Sequence, residues 1–193
     1  DIILEIAKEK NLKFTLGTVL SDVSTEYVLD KFDNGKIIDM SSEFPFDRKN
    51  AEESSRIVSQ IGIAPIIELL NKKVDVILCG RACDTAIYAA PCIYEGYNHG
   101  LAFHMAKIME CGAMCSEPVA AADVMQAYMY DDYFELRPAN PARRCTVDRV
   151  AAHTLYEQSN PYLIFEPDGV CDLTESEFVQ ADERTVRVFK SKF

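Results

Sequence analysis

The sequence predicts a mixed α/β fold, a largely parallel sheet flanked by helices with antiparallel hairpins in the C-terminal half. Three observations carry this reading. Helix-like and strand-like periodicities alternate through the first half, the pattern of βαβ units. The second half switches to pairs of β-rich runs parted by turn residues, Asp131-Asp132 and Asp168-Gly169. The run Val74-Asp-Val-Ile-Leu-Cys79 has almost no polar face, as expected of a central strand covered by helices on both sides.

Taken in order, Ile2, Ile3, Ile6 and Ala7 keep a helical period and predict a helix over 2–10, which Asn11 stops. A strand over 13–20, a helix over 25–32 and a short strand over 36–39 follow. A long helix is expected over 51–71, then the strand over 74–79. Helices are predicted over 85–94, opened by Asp84 or Thr85 as cap, and over 100–115. Strands over 124–130 and 133–137 precede a helix over 146–158, for which Thr146 is a good cap and Asp148 complements the macrodipole. Strands over 162–166, 170–172 and 185–189 close the chain. The whole reads as one domain, 1–193, with a possible sub-division at the proline-bracketed stretch 138–144. Because the sequence opens on Asp1 inside a helical pattern and stops soon after a strand, it is expected to be a piece of a longer chain.

Composition narrows the function. The 193 residues are 48% hydrophobic and 26% charged, with a formal charge of −11. So negative a surface repels phosphate backbones and anionic bilayers, which disfavours nucleic-acid and membrane partners. No apolar run nears the ~18 residues of a membrane span. Seven cysteines, an odd number with no signal peptide, suit reduced thiols in the cytoplasm. Cys79/Cys83 and Cys111/Cys115 are spaced four apart, but are expected to pack as small hydrophobes, so neither a disulfide nor a metal is predicted. The many Met, Tyr and Phe residues suggest apolar surface left for a partner, and hence a homo-oligomer.

Three segments carry candidate chemistry. After the 74–79 strand, Gly80 permits a tight turn, and Arg81 and Asp84 stand where ligands bind in open α/β sheets. Arg81 offers a fork for a carboxylate or phosphate, and Asp84 a base or a helix cap. On the next helix His104 and Lys107 lie three apart and can serve as acid/base and electrostatic partner. The plainer alternative is an amphipathic helix with Lys107 and Glu110 paired on its polar edge. Third, Arg143, Arg144 and Arg149 form the basic cluster of an acidic chain, with His153 and Glu157 along one helix side. Arg81 is expected to share an anion site with Arg143 or Arg144, near His104 or His153. Against this stands a reading in which the same residues only cap helices and pair with surface acids. Motifs of P-loop kinases and NTPases, dinucleotide-binding folds, zincins and serine hydrolases are missing. No cofactor is identified.

Five stretches, VDVILCGRACDTAIYAAP, GLAFHMAKIMECGA, RRCTVDRVAAHTLYEQSNPY, EPDGVCDLT and RTVRVFKSKF, stand in an order that resembles the acyclic terpene utilisation (Atu A-type) family from about residue 60 onward. The resemblance implies the C-terminal part of that family's conserved domain. It also implies a place in the catabolism of acyclic terpenoids or related branched acids, handled as coenzyme A thioesters. Some relatives carry a methylaspartate ammonia-lyase label. The expected function is therefore a catabolic enzyme domain acting on a small carboxylic acid or branched acyl thioester by lyase- or hydratase-like proton chemistry. The alternative is a non-catalytic ligand-binding or assembly domain.

Overall fold

A computed structural model describes residues 2–39, 43, 45–119, 123–156 and 160–193. Helix α1 (Ile2–Glu9) leads to strand β1 (Leu16–Val19), the short β2 (Asp22–Val23) and helix α2 (Thr25–Asp33), whose N-terminus is capped by the Ser24 hydroxyl. Helix α3 (Arg48–Glu53) opens on an Asp47–Asn50 capping box and precedes β3 (Ile57–Val58), paired antiparallel to β2. Helix α4 (Ala64–Asn71) feeds β4 (Val76–Cys79), which lies parallel to β1, Leu16 opposite Val76 through Val19 opposite Cys79. Helices α5 (Ala86–Tyr94) and α6 (His99–Met109) follow, then a short 3₁₀ turn over Gly112–Cys115.

The C-terminal half is antiparallel, as the turn residues predict. Strands β5 (Ser116–Glu117) and β8 (Arg144–Cys145) pair with each other. Strands β6 (Met125–Met129), β7 (Tyr133–Pro138), β11 (Glu177–Gln180) and β12 (Val186–Phe189) form a four-stranded sheet in the order β11-β12-β7-β6. Helix α7 (Val147–Thr154) packs beside it, and β9 (Leu163–Glu166) and β10 (Gly169–Asp172) make a separate hairpin.

The mixed α/β class holds, but the parallel part is a sheet of only two strands. β4 is consequently not a central strand buried on both faces: Leu78 is 45% exposed, and on one side β4 has no strand neighbour among the described residues. The helix expected over 51–71 is broken. Gly62 and Pro65 restart it at α4, and the preceding stretch contributes β3 instead. No strand forms over 36–39, where Ile38 faces solvent. The helix expected over 100–115 ends early, at Met109, and Gly112 with φ +57° opens a 3₁₀ turn instead.

Two apolar clusters flank α6. Leu101, Met105 and Ile108 join Phe134, Leu136, Val150, Val186 and Val188 on one side. Ala102, Phe103 and Ala106 join Ile66, Ala86, Ala90 and Ile164 on the other. A helix buried on every side belongs to an interior, and α6 is the element on which both halves of the molecule pack.

Candidate functional site

Because β1 and β4 are parallel, their carboxyl ends open at the same edge, where the chain leaves β4 through Gly80–Thr85. This loop is held by its backbone. Gly80 N–H donates to Val19 O at 2.8 Å, Arg81 N–H to Ser21 Oγ at 2.7 Å and Cys83 N–H to Ile61 O at 2.8 Å. A Cβ on residue 80 would lie 2.6 Å from Ser21 Oγ and 3.1 Å from Ser21 N, so only glycine lets the two loops approach so closely. With its backbone committed, Arg81 projects an exposed side chain that has no ion pair among the described residues. It borders two cavities. One, of about 650 Å³, includes Ser21, Asp22 and Arg56; the other, of about 270 Å³, includes Cys83, Asp84 and Ile87. Arg56 is already neutralised by Asp22, which leaves Arg81 as the cation at this mouth without a carboxylate.

Beneath the loop lies a charged cluster that joins the first two sequence segments. Glu166, at the end of β9, accepts hydrogen bonds from Thr85 Oγ1 at 2.6 Å and Cys83 Sγ at 3.1 Å. Thr85 therefore sits at the N-terminus of α5 but spends its hydroxyl on Glu166 rather than on the helix. Burial is the main reason that the Cys83 thiol is pushed up to about 11, with Glu166 adding to it, so the sulfur is a protonated donor and not a nucleophile. At the end of α6, Lys107 and the C-cap residue Glu110 form an ion pair with each side chain about a tenth exposed. Burial raises the Glu110 carboxyl above its ordinary range; Lys107 pulls it down, while the negative charges of Asp84 and Glu166 push it further up. Asp84 and Lys107, singled out separately in the sequence, thus act on one carboxylate.

His104 is elsewhere, fully buried in the core. Thr154 Oγ1 donates to Val150 O, so it accepts from His104 Nε2–H at 3.0 Å, and Nδ1 accepts the Ser191 hydroxyl at 2.7 Å. Phe134 and Phe178 meet the ring edge-on. Burial holds the imidazole neutral, with its pKa lowered to about 3. His153 is also buried, stacked on Tyr156 beside Arg149 and Met114. Glu157 lies outside the described residues.

Nor does the structure bring Arg81 to Arg143 or Arg144. Those two line a different cavity, where Arg143 pairs with Asp123 at 2.9 Å and Arg144 with Glu117 at 3.3 Å. The stretch 138–144 before them is tied down by Arg184, which donates to the carbonyls of Pro138, Asn140 and Arg143. The sequence gives no sign of the partners of Glu166, since a contact spanning 81 residues leaves no local pattern. Its one signal was the strand-then-turn pattern that places it beside Asp168. Among the described residues no group of three or more His, Cys, Asp and Glu side chains is placed to hold a metal ion, and no helix is long and apolar enough to cross a membrane.

Fold and site together define a mixed α/β protein with an exposed arginine, Arg81, on the loop at the ends of its parallel strands. The chain belongs to the acyclic terpene utilisation family: the model of the Acyclic terpene utilisation family protein AtuA matches residues 1–130. That span holds the strand-end loop and all of α6, begins earlier than the stretches that first carried the resemblance, and ends before the arginine-rich one. The family name points to a catabolic context. Comparison with curated proteins gives no match, and comparison with solved structures gives none.

Proposed function

We propose that the chain is part of a catabolic enzyme whose substrate is a small carboxylic acid or branched acyl thioester, docked at the strand-end loop. The observation that carries this reading is Arg81, an exposed guanidinium with no ion pair among the described residues, beside two cavities at the carboxyl ends of β1 and β4. A guanidinium fork binds a carboxylate bidentately, and no neighbouring acid must first be displaced. Glu110, with its raised pKa and its Lys107 partner, is the group we assign to proton transfer next to the bound carboxyl or carbonyl group. Asp84 tunes it from the loop side. His104, fixed in the core as a neutral ring, takes no part in this scheme.

The test is a thermal-shift panel of branched carboxylates and their coenzyme A thioesters, followed by proton NMR of any ligand in D₂O. Deuterium should enter the ligand next to its carbonyl group. Glu110→Gln should keep the ligand-induced shift and lose the exchange. A panel without any stabilising ligand, or exchange that survives Glu110→Gln, would overturn the reading.

A further inference from the structure

A cavity of about 910 Å³ at the third sequence segment is lined by Glu117, Arg143, Arg144, Arg149, Glu183 and Arg184 among others. Four of the nine arginines of a chain with charge −11 meet there. Their partners do not cancel that charge. Arg184 is fixed by three backbone carbonyls and has no carboxylate partner among the described residues. Arg143 is nearly buried and is matched by Asp123. Arg144 and Arg149, both largely exposed, share the single carboxylate of Glu117 at 3.3 and 4.0 Å. Charge-assisted bonds of this kind normally close to about 2.7–2.9 Å, so Glu117 holds the pair loosely. Folding does not call for this arrangement. Surface ion pairs contribute little, and an acidic chain has carboxylates enough to disperse its arginines.

We propose that this cleft binds a small molecule through a phosphate or diphosphate group, at a site separate from the strand-end loop. A monocarboxylate would compete with Glu117 on equal terms, charge for charge. A phosphate dianion carries twice the charge and three acceptor oxygens, and can span the forks of Arg144 and Arg149 while facing Arg184. The volume falls within the ~300–1,000 Å³ typical of small-molecule sites.

The experiment is calorimetric titration of the 193-residue chain with inorganic pyrophosphate, inorganic phosphate and acetate at low salt. Saturable binding of pyrophosphate is expected, stronger than phosphate, with acetate silent. Arg144→Gln/Arg149→Gln, which alters exposed side chains and should leave the circular dichroism unchanged, is expected to weaken pyrophosphate by at least about tenfold. Glu117→Gln removes the competing carboxylate and should tighten binding. Lys49→Gln/Lys72→Gln takes the same charge from helix surfaces elsewhere and should leave affinity within about twofold, as expected when only screened long-range terms change. Absence of saturable pyrophosphate binding would overturn the proposal. So would equal losses in the two double variants, which would mark a diffuse electrostatic effect.

Discussion

The hydrogen bonds around His104 form a directed chain. The Ser176 hydroxyl donates to Ser191, Ser191 to His104 Nδ1, His104 Nε2–H to Thr154, and Thr154 to Val150 O, so each proton on this path has one place to go. Taking the ring out of water disfavours its charged form, and burial lowers the pKa from near 6.5 to about 3. In the unfolded chain the same imidazole takes up a proton as the pH falls below about 6.5, so between there and about 3 the unfolded state binds more protons than the folded one. Stability must therefore fall with pH across this window, by about 2 kcal/mol between pH 7 and 5 from His104 alone. Urea midpoints at pH 7, 6 and 5 measure it. His104→Gln should cost about 1–3 kcal/mol at pH 7 through its unsatisfied partners, yet show a flatter decline below pH 6.5. Parallel declines in the two proteins would contradict the neutral-ring assignment.

At the scale of elements, α6 depends on Gly100. A Cβ there would lie 2.3 Å from Ser191 O and 2.6 Å from Lys192 C, both backbone atoms that have no rotamer to escape into. Gly100→Ala should destabilise the protein by about 1–3 kcal/mol, the cost of overpacking, and protect the amides of 190–192 less from hydrogen exchange. Unchanged stability would mean that the C-terminal segment does not pack as described. The same helix shows what one sequence reveals. Its existence was legible from the apolar period; the Asn98 cap that starts it and its burial on every side were not. Lys107 and Glu110 look like a solvated edge, yet each side chain is about a tenth exposed, and the charges of Glu166 and Asp84 act on Glu110. Hairpins were legible because Asp131-Asp132 and Asp168 mark turns locally. The break between α3 and α4 was missed because apolar spacing across 51–71 outweighed Gly62 and Pro65. The loop Gly80–Asp84 was legible in full, from an apolar run ended by glycine. Its meeting with α6 was not, because that depends on tertiary packing.

For the molecule as a whole, α6 is shared by two apolar clusters, so neither can open without exposing the other. Urea unfolding should then give one transition with coincident far-ultraviolet and tyrosine signals, and Phe103→Ala should lower its midpoint by about 3–5 kcal/mol of stability without splitting it. Two separated transitions would show that the clusters fold independently. Charge is as unevenly placed as apolar surface. A chain of −11 keeps exposed guanidinium groups at two cavities, one at the strand ends and one beside α7, where its general field would otherwise repel anions. Binding at the strand-end loop is tested most directly by a three-way affinity comparison. The best ligand of the carboxylate and thioester panel should be titrated into the wild-type chain, Arg81→Lys and Arg81→Ala. If the guanidinium fork docks the carboxyl or carbonyl group, Arg81→Ala should weaken binding by about 1.5–3 kcal/mol, and Arg81→Lys, which keeps the charge but loses the fork, should fall between the two. Equal affinity in all three proteins would contradict the site.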